Sequence, residues 1–288
     1  MSNEIETHRI QRYTDGITLL AQQKKSRLRD KVRNENGVKA KIEFFDQIGS
    51  TTMVEKTTRH TDTPIIEIPH RRRAVILKFY HTSDLIDEAD VEEVLNEPAG
   101  TYGMTMAGAA GRKIDEVILA NMFATSKTGE DGTGTAAHPA SHQIASNSEG
   151  MTLAKMLEAK AILDRSEVDE EDMRFATTRA SQIEEMLNIT EIGSGDYNTV
   201  RALAEGQIDT YAGWKFNRTE LVTDDATDTL CPFWAENSML VAFGHDAKAR
   251  VDVLPGKDYS TQVYYSMRVG ATRMDETGVV RVNCLGTT

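Results

Sequence analysis

Cysteine is nearly absent from this chain: Cys231 and Cys284 are the only two in 288 residues. They are too few for a disulfide framework and too far apart in sequence for a zinc knuckle, so both read as reduced, strand-borne thiols. Also missing are an apolar run of about 18 residues and a signal-peptide hydrophobic segment, so neither a membrane span nor Sec export is indicated. Positive charge is in deficit. Lys and Arg number 33 against 45 Asp and Glu, and the net charge of −12 argues against a main surface that grips nucleic acid by neutralising phosphates. It does not exclude a local basic contact. Catalytic signatures are lacking too. Gly129, Gly132 and Gly134 could cradle a phosphate, but no Gly-Lys-Ser/Thr ending follows them. His138 and His142 are four apart, yet Pro139 between them disfavours the helix that would bring both to one metal. Neither cysteine lies in a Gly-flanked elbow or at a helix N-terminus that would lower its pKa, so a cysteine-dependent hydrolase is the weaker reading. No enzyme, cofactor or metal site is expected. Composition fits a soluble, intracellular, self-associating protein of one or two lobes.

What is present is most informative over 38–126. Residues 39–45 place Ala40, Ile42 and Phe44 on one face at the period of two that a half-buried strand requires. Residues 74–80 are the natural return strand. Between them lie the 28 residues 46–73, rich in Thr and charge, with apolar relief only at Met53-Val54 and Ile65-Ile66. Ordinary hairpin loops run to roughly 2–5 residues, so a segment this long is either disordered or ordered by something outside its own domain. The expectation is a projecting arm that pairs with a neighbouring subunit.

Charge is arranged in blocks. Residues 24–33 hold six bases against Asp30, and the arm adds Lys56, Arg59 and Arg71, Arg72 and Arg73. Immediately afterwards 84–97 carries seven acids and no base: Asp84, Asp87, Glu88, Asp90, Glu92, Glu93 and Glu97. A second acidic block spans 164–172. Charge runs are usually solvated faces and turns. Opposite signs on an arm and on a separate acidic bridge also suit register-setting contacts between identical subunits, because electrostatic complementarity mainly confers specificity and on-rate. On that reading the inter-subunit contact candidates are Lys56, Arg59, Arg71, Arg72 and Arg73 on one side and Asp84, Asp87, Glu88, Asp90, Glu92 and Glu93 on the other. Reversing Arg71, Arg72 and Arg73 to Glu is expected to block assembly and leave the subunit folded.

Pro98 starts a long helix running to about Phe123, since proline is tolerated where its missing N–H would be unpaired anyway. Met104, Ala107, Ala110, Gly111, Ile114, Ile118 and Met122 recur every three or four residues along one face. Glycine costs a helix interior up to about 1 kcal/mol relative to alanine, so the small residues 107–111 point to close approach of another backbone. Residues 125–150 read as a hairpin or loop. Thr152 caps a helix with Leu153, Met156, Leu157 and Leu163 on one side. Residues 173–177 form a strand, and Ser181 with Glu184 makes a capping box. Trp214 and Phe216 alternate as core aromatics. The C-terminal part is all strand: 239–243 covered on both faces, Val251 and Val253, then Val263, Tyr265, Met267 and Val269, and finally Val280, Val282 and Cys284 after a turn at 275–278. The fold class is α+β, a sheet packed against a spine.

In this order, the polar N-terminal segment, the extended hairpin, the Arg-rich return strand, DLIDEADVEEVLNEP, AGTYGMTMAGAAGRKIDEVILANMF and TQVYYSMRVGATRMDETGVVRVNC resemble the major capsid proteins of tailed bacteriophages. The resemblance covers about 38–284 and rests on element order, with no short signature. It implies the HK97-like capsid fold: an N-terminal arm over 1–37, an extended E-loop hairpin over 38–80, a peripheral domain from 81–150 and 239–288 with the spine helix at about 98–123, and an axial domain over 151–238. The function it implies is a major capsid protein that assembles with itself into hexamers and pentamers, closing an icosahedral shell around the double-stranded DNA genome without sequence-specific binding. Implied partners are a separate scaffolding protein, a portal protein and, in some relatives, a decoration protein; no membrane is involved. The place is the virion head, reached by way of the host cytoplasm during assembly. An encapsulin-like nanocompartment shell shares the fold and is the alternative.

Overall fold

The computed structural model describes residues 22–59, 62–63, 65–86, 99–169, 171–189, 210–225 and 227–286. In chain order a short 3-10 turn leads into β1 (Arg33–Asn36), then β2 (Ile42–Ile48), β3 (His70–Ile76) and β4 (Lys78–Ile86). The long helix α1 (Ala99–Met122) follows, then a small hairpin of β5 (Ser126–Thr128) and β6 (Gly134–Ala136), and β7 (Gln143–Ile144). The middle of the chain gives α2 (Leu153–Arg165), β8 (Arg174–Thr178), α3 (Ala180–Leu187), β9 (Thr210–Tyr211), β10 (Trp214–Arg218) and β11 (Asp224–Asp225). It ends in four successive strands: β12 (Asp228–Ala235), β13 (Met239–Val253), β14 (Thr261–Arg273) and β15 (Val279–Leu285).

These strands form three sheets. The first, in the order β1-β13-β14-β4, carries α1 across one face. Ile114, Ile118 and Met122 of the helix pack with Val241, Phe243, Met267 and Val269. The alternation Val263, Met267, Val269 puts those side chains in the core, and 239–243 is buried on both faces as a continuous apolar run should be. The second sheet runs β7-β15-β12-β8-β10-β9, with β11 on β12. Met156 and Leu163 of α2 and Met186 of α3 bury against Trp214, Phe233 and Val282 there, and Trp214 meets Phe233 edge-on at 4.9 Å. The third sheet, β2-β3-β5-β6, is the root of the arm. β15, which the expected division groups with the spine helix, pairs with β12 in the second sheet.

The helix glycines have the close neighbour their sequence foretold. A Cβ on Gly111 would lie 2.7 Å from Ser26 N, and one on Gly108 would lie 3.1 Å from Gln23 O. The backbone that approaches is the chain's own basic N-terminal tract. Asp115, fully buried one turn further on, fastens that tract by accepting hydrogen bonds from the Ser26 hydroxyl, the Gln23 amide and the backbone N–H groups of Arg27 and Leu28. Lys155 does the same for α2: its buried ammonium donates to the carbonyls of Ser146, Glu149, Gly150 and Asn283 at 2.8–3.2 Å.

Several expectations are corrected. The face of β2 holding Ile42, Phe44 and Ile48 points outward, while Glu43, Phe45 and Gln47 turn inward; the period was right and the buried side was the other one. The expected return strand 74–80 is two strands in two sheets, because β3 pairs with β2 and β4 pairs with β14. Met104 and Leu157 are exposed, and Val117, Leu119 and Ala159 take the core places instead. The helix α3 starts before Ser181, with Gln182 Oε1 accepting from Arg179 N at its start in the capping role expected of Glu184. Pro98 lies outside the described residues. Among the described residues no helix is long and apolar enough to cross a membrane.

Candidate functional site

The arm root leaves a row of apolar side chains uncovered. Cross-strand partners share a face, so the ladder Ile42↔Ile76, Phe44↔Ala74, Asp46↔Arg72, Ile48↔His70 builds one side of the hairpin and Glu43↔Val75, Phe45↔Arg73, Gln47↔Arg71 the other. The second side is seated on the body: Val75 is buried with Leu77, Leu240 and Ala242, and Phe45 packs against them. The first side faces outward with Ile42, Phe44, Ile76 and Ile48 exposed, Ile48 to 72%. Beyond it, the described residues of 49–69 form no regular strand, and Met53, Val54 and Ile65 stand in solvent. An apolar sheet face and a β2 edge with no strand beside it among the described residues are the two features by which a strand invites another chain.

The joint between arm and body is polar and buried. Arg73, 3% exposed, donates from Nε to Met274 O at 3.0 Å and from Nη2 to Glu276. Gln47 donates to the same Met274 carbonyl at 2.7 Å. Arg273, fully buried, donates to Met122 O, Ala124 O and Ala136 O, so one guanidinium closes the C-terminus of α1 and holds the β5–β6 hairpin that extends the arm's sheet. Burial holds Arg273 below the usual guanidinium range; Glu276 opposes the shift and Arg73 adds to it. His138, beside Arg273, is pushed down to about 4, first by burial and then by that arginine. Its Nε2 lies 3.1 Å from Val279 O. His142 reaches Ser166 instead, at 3.2 Å, so the two histidines serve separate partners. A cleft of about 660 Å³ opens over this joint, lined by Arg71, Arg72 and Arg73 and by Asp46, Glu130 and Glu276.

The contact candidates divide into three groups. Lys56 and Arg59 are exposed on the segment beyond β2. On β3, Arg71 is exposed, Arg72 is paired with Asp46 at 2.6 Å, and Arg73 is interior. The Asp46 carboxyl is lowered and the Arg72 guanidinium raised by that hydrogen bond. Reversing all three arginines would bury an acid at position 73, so the folded-but-unassembled outcome can be sought only with Arg71 and Arg72. Asp84 is exposed on β4 and accepts from Leu85 N. Asp87, Glu88, Asp90, Glu92 and Glu93 lie outside the described residues. Sequence reading missed Asp115, Arg273 and Glu276. A signal existed for Arg273: the alternation Val263, Met267, Val269, Ala271 continues directly onto it and places it on the core face. The cysteines are no surface nucleophile: Cys231 and Cys284 are wholly enclosed, and a hydrogen bond to Cys284 together with burial pushes the Cys231 thiol up.

Against known proteins, the sequence matches the family model described as phage capsid protein over residues 5–286. No curated protein matches it. Among solved structures the fold is similar to the capsid of cyanophage P-SCSP1u, with a TM-score of 0.76 at 14% identity over 98% of this chain and 95% of that one. The capsid of Ralstonia phage GP4 gives 0.75 at 12% identity over 98% and 96%. The capsid of a native GTA particle gives 0.71 at 13% identity over 99% and 98%.

Proposed function

Because the chain belongs to the phage capsid protein family, we propose that it is the major shell subunit of a tailed-phage head, associating with itself as hexamers and pentamers around the genome. The observation that carries the reading is the one-sided arm: a two-stranded projection seated on the body by one face and presenting Ile42, Phe44, Ile48 and Ile76 on the other. Covering such side chains stabilises by roughly 1 kcal/mol or more each, and an arm ordered by a neighbour regains its ordering cost at assembly. Its role is structural and its place is the virion capsid. Passage through the host cytoplasm, a scaffolding protein, a portal and a decoration protein belong to this proposal through the family alone. A nanocompartment shell is not favoured, since the family match and the similar structures are phage-type capsids.

Negative-stain electron microscopy of the concentrated protein, with and without lysate from its source to supply a scaffold, tests this. Closed shells, tubes or capsomers are expected. A monodisperse 32 kDa monomer under both conditions would refute it.

A further inference from the structure

The cleft over the arm root balances Arg71, Arg72 and Arg73 against Asp46, Glu130 and Glu276 along its lining, and the buried Arg273 beside it leaves one positive charge in excess. Two buried arginines, Arg73 and Arg273, share Glu276 as the carboxylate near both. Arg73 Nη1 and Arg273 Nε are buried without a hydrogen-bond partner. Arg71 on the rim forms no ion pair among the described residues, and Arg72 pairs with Asp46 and also feels Glu130. Buried positive charge in excess of its counter-charges favours the arrival of an anion.

The chain contains such an anion in concentrated form, the 84–97 block with seven acids and no base. Its own cleft is out of reach. β4 runs with Lys78 opposite Val269 and Ile86 opposite Thr261, so Ile86 sits twelve residues along β14 from Arg273, about 40 Å at ~3.3 Å per residue. Along the helix, Met106 packs with Ile86 and Val263 and Met122 meets Arg273, about 24 Å apart, while the full 24 residues back to Ala99 span about 36 Å. Residues 87–98 are tied to Ile86 and Ala99, both at the far end. Even fully extended they cover about 45 Å out and back, against the ~60 Å or more that reaching the cleft from both ties would need.

From this geometry we infer that the arm-root cleft is a carboxylate receptor for a second copy, its occupant the acidic segment between β4 and α1 of that copy. The inference rests on the shell-subunit reading above. It names a contact in which the partner's acids enter between Arg71 and Arg72 and offset the buried arginine pair below them.

The test is fluorescence anisotropy with a labelled peptide of sequence 84–97 on the purified, unassembled full chain at low salt. Inorganic phosphate serves as a second, small probe followed by thermal shift. The peptide is expected to bind, to lose at least tenfold in affinity for the Arg71→Ala, Arg72→Ala chain, and to fail when its acids are replaced by amides. Arg73 is left intact, so the fold is not at stake. Equal binding to both chains, or none, overturns the inference. So does a phosphate shift lost in the variant without peptide binding, which marks an adventitious anion cleft only. Electron microscopy of the same preparations separates the two levels: shells from the wild type with no peptide binding sink the receptor alone, and no shells sink the reading beneath it.

Discussion

Two glycines in one helix should respond to the same substitution with opposite signs. At Gly103 an added Cβ would meet nothing within 4 Å among the described residues, so Gly103→Ala should show only the helix-propensity gain, about 0.8–1 kcal/mol of added stability. At Gly111 the same methyl would sit 2.7 Å from Ser26 N, 2.9 Å from Lys25 C and 3.2 Å from Lys25 Cα. These are backbone atoms, so the whole tract must retreat by roughly half an ångström or more. The retreat stretches bonds that Asp115 accepts from Arg27 N and Leu28 N at 3.0–3.1 Å, around a carboxylate that is wholly buried. Overpacking costs about 1–3 kcal/mol, and a weakened hydrogen bond to a buried carboxylate about 1.5–3. Subtracting the helix gain leaves Gly111→Ala less stable by roughly 1.5–5 kcal/mol. Urea unfolding of the unassembled chain measures both variants. Limited trypsin digestion at Lys24, Lys25 and Arg27 reports whether the tract has lifted. Equal shifts for the two variants, or a stabilised Gly111→Ala, would refute the close-packing argument.

Two further outcomes follow from buried charge. His138 titrates near 4 in the fold against an ordinary 6.5, so the unfolded chain binds its proton more readily. Its contribution is therefore intact above pH 6.5 and lost as pH falls from 6.5 towards 4, about 1–2 kcal/mol after allowing for its partial exposure. A His138→Gln chain should show a flatter pH profile by urea denaturation, and an unchanged profile would contradict the assignment. Lys155→Met should cost about 3–5 kcal/mol, because four carbonyls lose their donor while the apolar stem is conserved. A melting temperature within a degree of wild type would mean that those carbonyls find other partners.

The spine helix was legible because α1 is long and its core period persists over six turns. The last strands were legible because their apolar residues alternate or run together without interruption. The arm was legible as an anomaly, a long polar excursion between two apolar segments. Its register and facing were not. Ile42 and Phe44 have the apolarity of a core face, and Glu43, Phe45 and Gln47 do not, yet the latter lie inward because Phe45 meets the body and Gln47 finds the Met274 carbonyl. A pattern of period two fixes that the faces differ without fixing which is covered in the subunit and which is left for a neighbour. Leu77 shows the complementary failure: a single residue between β3 and β4 sends the chain from one sheet to another, and no turn signal marks it.

The sequence by itself therefore determined the spine helix, the C-terminal strands and the polarity of the charge blocks, since these depend on neighbours a few residues away. Only the tertiary structure decided what the charges do. Asp115 holds a tract that lies 87–92 positions earlier, and Arg73 reaches Met274 and Glu276 from more than two hundred positions away. The energy of a buried charge is set by which donors and acceptors chain folding brings within about 3 Å, and separation in sequence carries no information about that distance.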